Sequence, residues 1–267
     1  MQEQIDGSPQ AYAAVVPPEA PDPGLVAAVA KAIGKTPAAT RLLLAGRVPR
    51  IVAGFGNRTD AGSVVEGLGL LGLNALTFSA EELRLPSHVF SAHALRIGEL
   101  KVDFLDRGGS MAVYSGDVSL VIRGNAESRE EVERTTTKTK LNLPATLLTG
   151  GIPIRRKITE KTVEVSTSIE AFVRIYARKS ALDCVQIRQH DFDYSCLGSD
   201  MGPASLANFS RLVGKIRGVF AQAAYDDRLT RAFTVDVPPA TPWDKIDIAC
   251  KLIYKFWNSS GSRGSTA

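Results

Sequence analysis

The chain has 267 residues, 44% hydrophobic and 22% charged, an average globular composition that excludes a disordered or fibrous protein. Its 32 Lys and Arg against 28 Asp and Glu leave a net charge of +4, too mild an excess to build a nucleic-acid-binding face. Three cysteines, Cys184, Cys196 and Cys250, form no CxxC pair, which argues against a disulfide framework or zinc ribbon and fits a reducing cytoplasm. The opening MQEQIDGSPQ has neither a basic start nor an apolar run, and no apolar stretch reaches about 18 residues, so neither export nor a membrane span is expected. The charge excess is uneven. Residues 1–80 hold 6 cations and 6 anions, leaving the whole surplus to the rest.

After a disordered N-terminus over 1–10, the run AYAAVV at 11–16 reads as an apolar strand stopped by Pro17 and Pro18. Leu25, Val26, Val29 and Ile33 stand at helical spacing, with Gly34 as the stop. Thr36 then caps a second helix that has Pro37 at its first position. RIVAGF at 50–55 is the next strand, Thr59 or Asp60 caps a helix carrying Val64, Val65, Leu68 and Leu71, and NALTFS at 74–79 is the last strand. Residues 11–79 are thus expected to be a β-α-α-β-α-β domain, a two-layer sandwich with three helices on one side of three strands.

The stretches AVAKAIGKTPAATRLL and RTDAGSVVEGLGLLGLNALTF, with the break at Gly34 and the run from Asp60 and Ala61 to Leu68 and Gly72, carry a resemblance. This quarter of the chain resembles the C-terminal domain of the bacterial ribosomal stalk protein, and its element order is also similar to that of the bacterial N-end-rule protease adaptor. The stalk domain offers basic residues to translation factors where this chain has Ala30, Ala38 and Ala39, and the adaptor's acidic entry is replaced by Pro17, Pro18 and Glu19. Neither activity is carried over.

Residues 80–89 form a polar, Pro-containing linker. HALRI (93–97), LKVDFL (100–105), MAVY (111–114) and DVSLVIRG (117–124) follow as a meander punctuated by glycines. The charged run ESREEVERTTTKTK and the Gly-Gly stretch LPATLLTGGIPIRRK make 125–162 a long insertion. Strands resume in SIEAFVRIYARK and ALDCVQIRQ, and a helix of about 18 residues from Pro203 carries Leu206, Phe209, Leu212, Val213, Ile216 and Phe220 on one stripe. Antiparallel strands closed by one amphipathic helix make 90–222 similar to a pleckstrin-homology-like barrel. The whole chain, with LLTGGIPIRRK and FDYSCLG as its distinctive words, resembles a group of bacterial proteins of uncharacterised function. In the extension 223–257, WDKIDIACKLIYKFW forms a last helix with Trp243, Ile246, Cys250, Ile253 and Trp257 on one stripe and Lys245, Lys251 and Lys255 pointing elsewhere; 258–267 is a disordered tail.

The candidate chemistry is thin. GLGLLG at 67–72 matches a dinucleotide fingerprint in letters, yet it lies late in a helix rather than between a strand and a helix start, where free N–H groups would meet phosphate. GFGNRT at 54–59 has the strand-to-helix placement but Thr59 where a third Gly is needed. His190 and Asp191 are neighbours that a strand would send to opposite faces, so with Asp193 they read as a solvated turn rather than metal ligands. Cys196 with His190 has no orienting third group for nucleophilic catalysis. Arg155, Arg156 and Lys157 are the densest basic cluster, an anion or partner contact set against the plainer reading of a hydrated loop. The expectation is an α+β protein of two domains plus a C-terminal helix, a cytoplasmic interaction or regulatory module. It has no catalytic, cofactor-binding or metal residues and a protein as partner. The alternatives are a small-anion or nucleotide-binding enzyme and a peripheral membrane module.

Overall fold

The computed structural model describes residues 9–141, 155–178, 183–231 and 242–261. Its elements are mixed helix and strand, and the chain divides into two compact units, one of 1–126 with 170–267 and one of 127–169.

The first strand, β1 (Ala11–Val15), is buried along its whole length and sits between β2 (Arg50–Phe55) and β3 (Ala75–Ser79), antiparallel to both. Its neighbours alternate across the sheet as a strand requires. Ala13 and Val15 meet Val26, Val29, Leu44 and Leu68 on one face, while Tyr12 and Ala14 meet Phe78 and other apolar groups on the opposite face. Helices α1 (Pro23–Ile33), α2 (Pro37–Leu43) and α3 (Arg58–Leu70) complete the order expected for 11–79. The caps explain the boundaries. Asp22 and Thr36 accept the N–H of Leu25 and Ala39, and Gly34 ends α1 with φ of 66°, a conformation that excludes most side chains. The cap of α3 is Asn57, not Thr59 or Asp60, because its amide oxygen accepts the Asp60 N–H at 2.8 Å while the Asp60 carboxylate accepts from the Asn57 amide.

The stretch 80–89 contains a short helix, α4 (Ala80–Arg84), and the start of β4 (His88–Ser91). The meander follows as β5 (Ala94–Ile97), β6 (Lys101–Asp106) and β7 (Gly109–Tyr114), a separate antiparallel sheet in the order β5-β6-β7. The long strands β8 (Val118–Leu141) and β9 (Arg155–Ala177) come next, so the segment read as an interruption is strand over 125–141 and 155–162. The dense charges masked Thr- and Val-rich runs, TTTKT and TVEVST, that favour extended backbone. The remaining elements are β10 (Asp183–Arg188), a 3-10 segment over Tyr194–Asp200, α5 (Ser205–Val219), β11 (Ala224–Leu229) and α6 (Pro242–Gly261). They complete a five-stranded sheet in the order β11-β8-β9-β10-β4, with β4 and β11 joining in parallel at its two edges. Among the described residues no sheet closes on itself, so no closed barrel forms. Of the stripe expected on α5, Phe209, Leu212, Val213, Ile216 and Phe220 are buried and Leu206 is exposed.

Helix α6 is the largest departure from the sequence reading. One side, with Ile246, Ala249, Cys250 and Ile253, packs on the five-stranded sheet against Leu120, Ile122, Phe172 and Tyr176. Another side, with Ile248, Leu252 and Phe256, covers the face of the β1 sheet that α1–α3 leave open. A helix between two sheets is apolar on more than one stripe. Each large side chain fully buried there contributes about 1.5–3 kcal/mol. The lysines do not all point away. Lys245 is exposed, but Lys251 is buried and Lys255 is half-buried against Glu82.

Candidate functional site

Of the segments that carried candidate chemistry, Arg155, Arg156 and Lys157 open β9 rather than sitting in a loop, and their side chains lie outside the described residues. The 54–59 turn does connect β2 to α3, yet the start of that helix is already filled by the Asn57 cap and faced by the Asp60 carboxylate, which repels a second anion. The 67–72 run ends α3, with Gly72 in the left-handed turn that follows. His190 and Asp191 occupy a turn after β10. There the His190 N–H donates to Glu170, the Asp191 carbonyl accepts from His93 Nδ1 at 2.9 Å, and the Asp193 carboxylate holds the Ser195 amide and hydroxyl. Burial pushes the Cys196 thiol up and Asp193 adds to it, the reverse of an activated nucleophile. Among the described residues no group of His, Cys, Asp and Glu is placed to hold a metal ion.

The structure instead assembles a buried charge network that the sequence did not announce. Arg174, near the C-terminal end of the middle strand β9, donates from Nε to the Gln186 amide oxygen at 2.8 Å and from Nη1 to Asp247 Oδ1 at 2.7 Å. Lys251, one turn along α6, reaches Asp247 Oδ2 at 2.8 Å and donates to the carbonyls of Leu83 and Leu85. The Ser87 N–H also donates to Asp247. Burial alone would raise the Asp247 carboxyl, but the Arg174 guanidinium and the hydrogen bonds from Lys251 and Ser87 outweigh it and hold it below the usual range. Nearby, Lys255 bridges the Glu82 carboxylate and the Thr77 carbonyl, with its ammonium 4.2 Å from the centre of the Phe78 ring. An ammonium with three acceptors for its three N–H groups is no nucleophile. What this network does is mechanical: it ties the 80–91 stretch, and hence β4, to α6. A cleft of about 480 Å³ beside it is lined by Glu81, Leu85, Tyr254 and the two lysines already engaged.

A second cavity has different chemistry. Where the five-stranded sheet and the meander sheet approach without joining, β4, β7, β9 and β10 wall an apolar groove of about 400 Å³. Val89 and Phe90 come from β4, Met111 and Val113 from β7, Ile175 and Ala177 from β9, and Cys184 and Val185 from β10, with His88 the one titratable ring among them. Strand register accounts for the share of the lining that β7 supplies. Met111 stands opposite Phe104, and Val113 opposite Val102, so both share the inward face of the meander. Met111 is still 41% exposed at the open edge. Alternation along single strands does not reveal the groove, because β4 and β7 meet the same cavity from segments separate in sequence.

No helix among the described residues is long and apolar enough to cross a membrane. Comparison with family models, curated proteins and solved structures finds no match for the chain.

Proposed function

We propose that this protein is a non-enzymatic interaction module whose groove between β4 and β7 receives an apolar segment of a partner protein. The open groove carries the reading: it is lined by apolar side chains from four strands, and its wall β4 is anchored through the Arg174–Asp247–Lys251 network. Preformed, largely apolar concavities are where ligands and partners bind. Free cysteines support a reducing, cytoplasmic setting, and residues 11–79 and 90–222 are read as a stalk-like sandwich and an opened pleckstrin-homology-like domain. The membrane reading loses its main support, since α6 spends its apolar residues on two internal sheets. The basic cluster at 155–157 remains a second partner contact within the proposal.

The test is selection of peptides from a displayed random library on the full-length protein, followed by anisotropy titration of the enriched peptides. Met111→Asp sits at the open edge, where the fold tolerates it, and introduces a charge into the groove. Binding should weaken at least about tenfold, the equivalent of about 1.4 kcal/mol, with an unchanged melting temperature. Undiminished binding to Met111→Asp would place the docking surface elsewhere.

A further inference from the structure

Building on the groove reading, we infer that the occupant docks by strand addition: an uncharged, extended segment of the partner pairs with the outer edge of β7 as a fourth strand of the meander sheet. The ladder shows which backbone groups would receive it. Ser115 N–H donates to the Leu100 carbonyl, and continuing this register makes Val113 with Val102 and Met111 with Phe104 hydrogen-bonded pairs. Antiparallel ladders alternate, so Ser110, Ala112 and Tyr114 turn their N–H and C=O groups away from β6. Among the described residues β7 pairs with β6 alone; the Tyr114 carbonyl opens the 3-10 turn Ser115–Asp117, which leaves the Tyr114 N–H and both backbone groups of Ser110 and Ala112 for a new strand.

The edge also lacks the devices that normally keep strand edges apart. GSMAVY contains no charged residue and no proline, and most of it is exposed. The charge pattern selects the occupant. Among the described residues no Asp, Glu, Lys or Arg lines the groove, so a charged side chain seated against them would lose water without gaining a counter-ion. Complementarity therefore favours a neutral segment whose alternate side chains fill the space beside Met111 and Val113 while its backbone pairs with Ser110, Ala112 and Tyr114. This is β-augmentation, in which main-chain bonds supply affinity and alternate pockets supply selectivity.

The register supplies its own test. Ala112→Pro removes an outward N–H without touching a bond to β6, so the protein should melt as wild type. Peptides enriched on the full-length protein should be uncharged, and their affinity should fall at least about tenfold on Ala112→Pro, the loss of one main-chain hydrogen bond with its partner left unpaired. Hydrogen exchange on the wild-type complex should show new protection at Ser110, Ala112 and Tyr114. Peptides that bind Ala112→Pro undiminished while still losing affinity for Met111→Asp would overturn strand addition and leave the groove reading standing, as would new protection confined to Val89–Ser91 on β4. Failure of any peptide to enrich, or binding indifferent to Met111→Asp, would overturn both.

Discussion

Replacing Asp247 by Ala removes the one carboxylate that two buried cations share. Arg174 is 3% exposed and Lys251 is 4% exposed, so neither can turn to water without moving β9 or α6. Lys251 would keep the carbonyls of Leu83 and Leu85, and Arg174 would keep Gln186, but among the described residues no carboxylate would remain in contact with either. Breaking a buried ion pair from one side costs about 3–5 kcal/mol, and the residual exposure of the Asp247 side chain points to the lower end. At about 2–4 °C per kcal/mol for a chain of this size, the melting temperature should fall by about 6–12 °C. The pH dependence has a definite sign. Because the folded carboxyl titrates below its ordinary value, its contribution is complete above about pH 4 and disappears as pH falls through the folded value. Urea unfolding followed by circular dichroism at pH 7 and at pH 3 measures both effects. The gap between wild type and Asp247→Ala should be wider at neutral pH than in acid. A difference under about 1 kcal/mol at pH 7 would refute the view that this network holds the 80–91 stretch in place.

Three further outcomes follow from the packing. A Cβ on Gly124 would lie 2.5 Å from the Phe172 ring and 2.7 Å from Leu229 Cβ, so Gly124→Ala should destabilise by about 1–3 kcal/mol in the same urea assay, and a neutral result would show that β8 and β11 can separate freely. Cys184 and Cys250 are buried, and burial pushes the Cys250 thiol up to about 12, so native protein should release colour from an aromatic disulfide reagent at Cys196 only, with all three thiols reacting after unfolding. An isolated 11–79 fragment would expose Tyr12, Ile51 and Phe78, which α6 covers in the whole chain, and a peptide spanning 242–261 should raise its melting temperature; a fragment indifferent to that peptide would show that the β1 sheet needs no second cover.

What sequence alone determined was local. Asp22 and Thr36 before prolines, Gly34 after Ile33, and short apolar runs between them specify β-α-α-β-α-β over 11–79, because caps, stops and periodicity act over a few residues. The meander was legible for the same reason, through alternation along β6 and the glycines around it. What tertiary structure decided was every feature that depends on distant segments meeting. The central strand AYAAV is apolar on both faces because α6, more than 200 residues later, covers the side α1–α3 do not. Charged β11 and the polar 80–91 stretch become edge strands and anchors because neighbouring elements satisfy their backbones and charges, which no local propensity encodes. The groove belongs to the same class. Its lining comes from four strands and includes the neighbours Val89 and Phe90 and Cys184 and Val185, so no single strand's alternation shows it; whether two sheet edges close into a barrel or stand apart depends on how the sheets pack, and here they stand apart.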